Sequence, residues 1–252
     1  MKIIFVNIFL FPSLILAREL GQTEITAEEG MEVYQNEKYY LLKKNVEIDS
    51  DNFILTAQQV KAYFNKDLYD ITKIYSKGNV VFESENGLKV LGNEINHNII
   101  DEIIKVTGKN SFLQNNEFTM ISDGLININN IAGEFKLNGS NSKLTTKEII
   151  ITGDDIRGKY INIDGENVVE KLFVDDETQI NINTETSNMF AKKAIYNKQE
   201  NIIELFENVI IIRNNENITG DYAKMNTLNE SFFVKTNKKS KRVKALLENT
   251  DE

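Results

Sequence analysis

The sequence predicts an all-β protein made of stacked antiparallel strands in a repeat of about 31 residues. Three observations carry that prediction: strict apolar–polar alternation, turn dipeptides between the alternating runs, and a short signature that recurs along the chain. Ile126-Asn127-Ile128-Asn129, Ile161-Asn162-Ile163-Asp164 and Ile180-Asn181-Ile182-Asn183 alternate residue by residue, as strands with one buried and one wet face do. Asn-Gly, Gly-Asn, Asn-Asn and Asp-Asp pairs punctuate the runs, which suits turns that need positive φ. Ile and Val carry most of the apolar content and favour sheet. Helical spacing is weak: Ala57 to Phe64 can be forced into a helix, but its flanks alternate as strands.

The recurring signature is an apolar residue, often Thr next, then a small residue. It occurs as Ile25-Thr26-Ala27, Leu55-Thr56-Ala57, Val90-Leu91-Gly92, Met120-Ile121-Ser122, Ile151-Thr152-Gly153, Met189-Phe190-Ala191 and Ile218-Thr219-Gly220. The small residues lie 30, 35, 30, 31, 38 and 29 positions apart. A polar residue follows each one: Glu28, Gln58, Asn93, Asp123, Asp154, Lys192 and Asp221. A second signature puts Asn before an apolar strand at Asn45-Val46, Asn79-Val80 and Asn208-Val209, with weaker copies at Gly108–Leu113 and Gly139–Leu144. The step from Asn141 to Asn208 is 67 residues, about two periods with one copy lost. Each unit holds two to three strands of ordinary length. Leu55 and Ala57 carry the apolar face on odd numbers, whereas Val60, Ala62 and Phe64 carry it on even ones, so a bulge is predicted between Ala57 and Val60. Repeated in every unit, that bulge folds the stack into two sheets meeting at a crease, apolar faces inward.

Composition narrows the function classes. The 252 residues include no Cys, no Trp, one Pro and one His, and the net charge is −9. No thiol chemistry, disulfide framework or multi-histidine metal site is available. The acidic balance disfavours nucleic acid as a partner. Met1-Lys2 precedes a 14-residue apolar run from Ile3 to Leu16, then Ala17 and the polar Arg18-Glu19. That is the pattern of a secretory signal peptide over 1–17, with a retained membrane anchor as the competitor; the run is short of the about 20 residues a spanning helix needs. The expected domains are this segment, a repeated β domain over 18–237, and a tail over 238–252. Residues 235–252 carry six positive and three negative groups, a contact for anionic phosphates or simply a solvated tail.

Inward-facing candidates include Val46, Ile48, Phe53, Leu55, Val80, Phe82, Leu88, Val90, Phe112, Phe118, Met120, Ile149, Ile151, Val209, Ile211 and Ile218, with Phe82, Phe112 and Phe118 as the aromatic choices for ligand contact. Such residues need no ligand to explain them. Asp154-Asp155 and Asp175-Asp176-Glu177 are expected to be turn acids, His97 a turn residue, and Arg157 and Arg213 solitary. The Asn217-Ile218-Thr219 sequon coincides with the repeat and is given no role. No phosphate-cradling Gly loop, Ser-His-Asp set, haem or flavin signature is present, so no catalytic residue, metal ligand or cofactor is assigned and the chain is not read as an enzyme.

The order Asn-Val-strand, turn, apolar-Thr-Ala/Gly-acid/amide, then a Tyr-bearing strand, resembles the OstA-like/LptA proteins of lipopolysaccharide transport. The matching segments are Asn45–Phe64, Gly78–Asn93 and Glu207–Met225, and Lys241-Arg242-Val243-Lys244-Ala245-Leu246-Leu247 is similar to the family's closing Arg-Val-Lys-Ala segment. The resemblance covers roughly 25–93 and 184–247; residues 94–183 share only the period. It implies a periplasmic β-jelly-roll whose two sheets form a V-shaped open groove, a bridge that carries lipopolysaccharide from an inner-membrane extractor to an outer-membrane inserter. It implies edge-strand pairing with those partners, near Ile25–Tyr34 and Glu230–Lys235, and head-to-tail self-association. The lipid-binding set on that reading is Val46, Ile48, Leu55, Val80, Phe82, Val90, Phe112, Phe118, Met120, Ile151, Val209 and Ile211, touching the acyl chains of lipid A. Seven layers at about 4.8 Å give a groove of roughly 30–35 Å. The alternatives are an inner-membrane-anchored partner of the same fold, a right-handed β-helix acting on polysaccharide, and a structural adhesin or surface-array module.

Overall fold

The computed structural model describes residues 19–164, 166–213, 216–237 and 242–246. The expected signal segment 1–17 and most of the expected tail over 238–252 lie outside the described residues. All regular elements among those described are strands, and every pairing is antiparallel. A right-handed β-helix, whose coils pair in parallel, is therefore not what this chain forms.

Two short strands open the chain, β1 (Glu24–Thr26) and β2 (Met31–Tyr34). Four long ones follow: β3 (Tyr39–Asp49), β4 (Phe53–Phe64), β5 (Ile71–Ser84) and β6 (Lys89–Asn98). The middle is cut into shorter pieces: β7 (Ile103–Thr107), β8 (Ser111–Gln114), β9 (Phe118–Ser122), β10 (Leu125–Asn129), β11 (Glu134–Asn138), β12 (Lys143–Thr146) and β13 (Ile150–Thr152). Long strands return as β14 (Asp155–Ile163), β15 (Glu166–Asn183), β16 (Asn188–Asn197), β17 (Ile202–Arg213) and β18 (Glu216–Asn226), and β19 (Phe232–Lys235) and β20 (Lys244–Leu246) close the described chain.

Every long strand except β14 runs through both sheets, one half in each. Sheet I is ordered β2-β3-β4-β5-β6-β7-β10-β11-β14-β15-β16-β17-β18-β19, and sheet II β1-β3-β4-β5-β6-β8-β9-β12-β13-β15-β16-β17-β18-β20. Each sheet is thus fourteen strands deep. At about 4.8 Å per strand the stack is ~62 Å long. This corrects the shorter length expected from seven layers: each unit of the repeat runs out and back, and so adds two strands to each sheet.

The crease explains the sequence signatures. The pairing register shifts between Lys43 and Val46, between Thr56 and Gln59, and between Lys77 and Val80, which places the predicted break between Ala57 and Val60. Strands running from sheet II to sheet I cross in a short step after the small residue, from Ala57 to Val60, Gly92 to Ile95 and Ala191 to Ala194, all facing inward. A side chain at Gly92 or Gly220 would strike Val106 or Val234, because the two sheets converge there. Returning strands cross through left-handed residues: Lys44-Asn45, Gly78-Asn79 and Glu207-Asn208 all have positive φ, as do Gly108, Asn110, Gly139 and Asn141. Asn and Gly tolerate that region best, hence the recurring Asn. The copy lost between Asn141 and Asn208 is a bulge inside β15, between Asp175 and Ile180. There the Asp176 carboxylate accepts from the N–H of Thr178 at 2.7 Å and of Gln179 at 2.9 Å. Asp175–Glu177 are therefore crease residues inside a strand, and Asp154-Asp155 lie at the same level; neither group is an inter-strand turn.

At three units the polar residue after the small one, Glu28, Gln58 or Asp123, bonds to an Asn crossing. The Asn45 amide donates to Glu28 Oε1 at 2.6 Å, and Gln58 donates to Asn45 Oδ1 at 2.9 Å. The Asn141 amide and the Asn110 N–H both donate to Asp123.

Candidate functional site

The interior between the sheets is one continuous apolar cluster from Tyr40 to Met225. Of the expected lipid-binding set, Val46, Ile48, Leu55, Val80, Val90, Phe118, Met120, Ile151, Val209 and Ile211 all lie in it, buried. Phe82 also faces inward, opposite Leu55 and Val90, but is half-buried near the lips of the V. Phe112 does not belong to the set. It pairs with Leu91 and Ile121 on the outer face of sheet II, because Ser111 and Leu113 take the inward positions of β8. Val81, Leu91, Phe112 and Ile121 stand in register as a cross-strand apolar row on that outer face.

The expected open gutter is filled near the crease. Val60, Leu113, Met120, Leu144, Ile151, Leu172 and Ile182 are at most 0% exposed as the structure stands. A ligand that runs between the sheets must displace these side chains or part the sheets, since interiors pack without spare volume.

The mouth, opposite the crease, changes character along the stack. In the first half it is closed by rings. Phe53 stacks on Phe82 at 5.4 Å and Phe82 meets His97 edge-on at 6.3 Å, so ring contact runs from sheet II to sheet I. His97 is an inward residue of β6 opposite Ile74 and Ile104, not a turn residue. Burial holds its imidazole below the usual histidine range. Further along, Phe118 from sheet II meets Tyr160 from sheet I at 5.9 Å, and the Tyr160 hydroxyl donates to Asn130 Oδ1 at 2.7 Å. Burial pushes the Tyr160 phenol up to about 12.

In the second half the mouth opens into two neighbouring cavities of about 290 and 340 Å³. Phe118, Ile149, Val168, Val169 and Tyr196 line the first; Ile203, Met225 and Thr184 line the second. Lys147, Glu148, Ile149, Tyr196 and Lys198 belong to both. Three ion pairs cross from one sheet to the other here. Lys147 Nζ meets Glu166 Oε2 at 3.3 Å, Lys198 meets Glu148, and Arg213 meets Glu230. Arg213 is thus not solitary, and neither is Arg157, which pairs with Asp155 at 2.7 Å. Sequence reasoning missed these residues because partners such as Lys198 and Glu148 sit at hairpin tips fifty positions apart, in no repeated pattern.

Among the described residues no further strand pairs with either end of the stack. At one end Ile25, Met31 and Val33 continue the inward rows of Ile48, Leu42 and Tyr40, yet Met31 is 45% exposed. At the other, Phe232 and Val234 continue the rows of Met225 and Ala223, and Ala245 that of Ile218. No group of His, Cys, Asp or Glu among the described residues has the arrangement of a metal site, and no helix among them is long and apolar enough to cross a membrane.

These features define a class: an all-β jelly-roll of stacked antiparallel strands, creased into two facing sheets around an apolar interior. Among solved structures the chain is similar to LptH from Pseudomonas aeruginosa, described as the LptA-homologous periplasmic component of the conserved lipopolysaccharide transport device. The alignment covers 90% of this chain and 95% of that one, at 8% identity and a TM-score of 0.23. No family profile matches the sequence, and no curated protein does.

Proposed function

We propose that this chain is an envelope protein that binds lipopolysaccharide and bridges its passage from the inner to the outer membrane, outside the cytoplasm and without catalysis. The observation that carries the reading is the apolar interior, which runs unbroken from β3 to β18 and continues into the inward rows of the edge strands, where Ile25, Met31 and Val33 are exposed among the described residues. An exposed acyl chain costs about 0.8 kcal/mol per methylene, so a twelve-carbon chain costs roughly 9–10 kcal/mol in water. An interior that is apolar in every layer from β3 to β18 lowers that cost once its side chains move aside or the sheets part. The edges β1/β2 and β19/β20, unpaired on one side among the described residues, suit strand addition, by inner-membrane and outer-membrane partners or by a second copy. The motif resemblance of Asn45–Phe64, Gly78–Asn93 and Glu207–Met225 and the signal-peptide pattern of the sequence over 1–17 support the same reading.

The test is a photoreactive residue at Phe82 or Val209, compared with Phe112 on the outer face. Capture of lipid in cells at the two inward sites and not at Phe112 is expected. No capture inside, or equal capture outside, overturns the proposal. The filled interior favours one other reading, a structural envelope module that takes no lipid; mass spectrometry of the purified protein, free of lipid A, would support it. N-terminal sequencing of the mature protein distinguishes a cleaved chain from an anchored partner of the same pathway.

A further inference from the structure

We propose that the second half of the mouth is a side portal, at which an anionic, single-tailed end of an amphiphile enters between the sheets by replacing the carboxylates of two ion pairs. The inference rests on the lipid-binding reading above and locates where that binding begins. Four observations converge on the place. The interior is filled near the crease, and the two large cavities reaching it open at the mouth between the β12–β13 turn of sheet II and the β14–β15 and β16–β17 turns of sheet I. The first cavity is floored by Phe118, Ile149, Val169 and Tyr196, so its depth is hydrocarbon-like. Its rim carries Lys147 and Lys198, each held by a carboxylate from the opposite sheet, Glu166 and Glu148. The Lys198–Glu148 pair lines both cavities and so stands as the bar between them.

The chemistry follows from exchange. Lys147 and Glu166 are 68% and 64% exposed at the side chain, and such pairs contribute little to stability, so parting them costs little. A phosphate or carboxylate headgroup offers each ammonium an equivalent or stronger charge-assisted partner. While Glu166 and Glu148 occupy those positions the sheets are strapped together. When a headgroup takes their place the straps are released and the tail lies on the apolar floor. The first half offers no comparable place: its mouth is closed by Phe53, Phe82 and His97, and the space beneath is lined by Leu55, Ile74 and Val90 with no cation at its rim.

The full chain, which has no native cysteine, is tested with dodecyl phosphate, dodecyltrimethylammonium and inorganic phosphate. Dodecyl phosphate is expected to bind the wild type, and Lys147→Glu with Lys198→Glu to weaken it by about tenfold or more. The cationic amphiphile of equal tail should not weaken, and inorganic phosphate alone should not compete at equal concentration. Glu117→Cys with Asn167→Cys, on opposite sheets at the first cavity and outside both ion pairs, bridged by a bismaleimide of matching length, should lose uptake that the unbridged double variant retains. Competition by inorganic phosphate, charge reversal without effect, or unimpaired uptake in the bridged protein overturns the portal while leaving the lipid-binding reading standing. A wild type that binds no dodecyl chain at all overturns both.

Discussion

In the first half of the stack the two sheets are joined across the mouth by rings, and in the second half by charges. Phe53, Phe82 and His97 exclude water and make contacts that salt does not touch. Lys147–Glu166, Lys198–Glu148 and Arg213–Glu230 span a wetter rim above real cavities, and their attraction is screened and easily exchanged. The same crease and the same repeat therefore support one half that is held shut by packing and another held by contacts that can be traded. The lesson is that a repeat fixes where side chains point, while the identity of the few at the lips decides whether the interior is reachable.

The largest expected effect is in the ring-closed half. Phe82→Ala removes the ring that touches both Phe53 and His97 and should lower unfolding stability by about 3 kcal/mol in urea titration. A loss no greater than that of an exposed residue would erase the distinction between the halves. Next comes Asp176→Ala in the second half, which strips the acceptor from the N–H groups of Thr178 and Gln179 at the β15 bulge; about 1–2 kcal/mol should go. Burial raises the Asp176 carboxyl, but the donors from Thr178, Gln179 and Asp154 outweigh it and hold it below the usual range. Its contribution is thus present above the unfolded carboxylate value and lost as pH falls through the folded one.

A smaller effect separates the halves by pH. The His97 imidazole is held below its ordinary value by burial, so below pH ~6.5 the unfolded chain binds a proton that the folded chain refuses. Stability should be level above that pH and fall below it, until the folded value is reached. His97→Phe should flatten the curve there, and an unchanged slope would place the pH response elsewhere. Smallest is Lys198→Ala, expected at no more than about 1 kcal/mol and vanishing in high salt. A larger, salt-independent loss would mean that the second half is packed as tightly as the first.

Much of the architecture was legible in the residues. Alternation at Ile126–Asn129 gave β10, the parity change after Ala57 placed the crease, and the spacing of Asn45, Asn79 and Asn208 located the left-handed crossings. The inward set was legible too, because inward and outward positions alternate within a strand. Phe112 failed for the same reason: the crossing at Gly108–Asn110 shifts the parity by one, and nothing in the local sequence says by how much. The Asp176 bulge was visible only as a gap, since a carboxylate cap replaces the left-handed pair that marks its siblings.

By itself the sequence determined the strand period, the crease and the apolar lining, all of which depend on neighbours within a few positions. The tertiary structure alone decided the depth of the stack, the filling of the interior and the pairing across the mouth. Those depend on residues such as Lys198 and Glu148, distant along the chain and carried by opposite sheets, and no local pattern records contacts between hairpin tips that meet only when both sheets have formed.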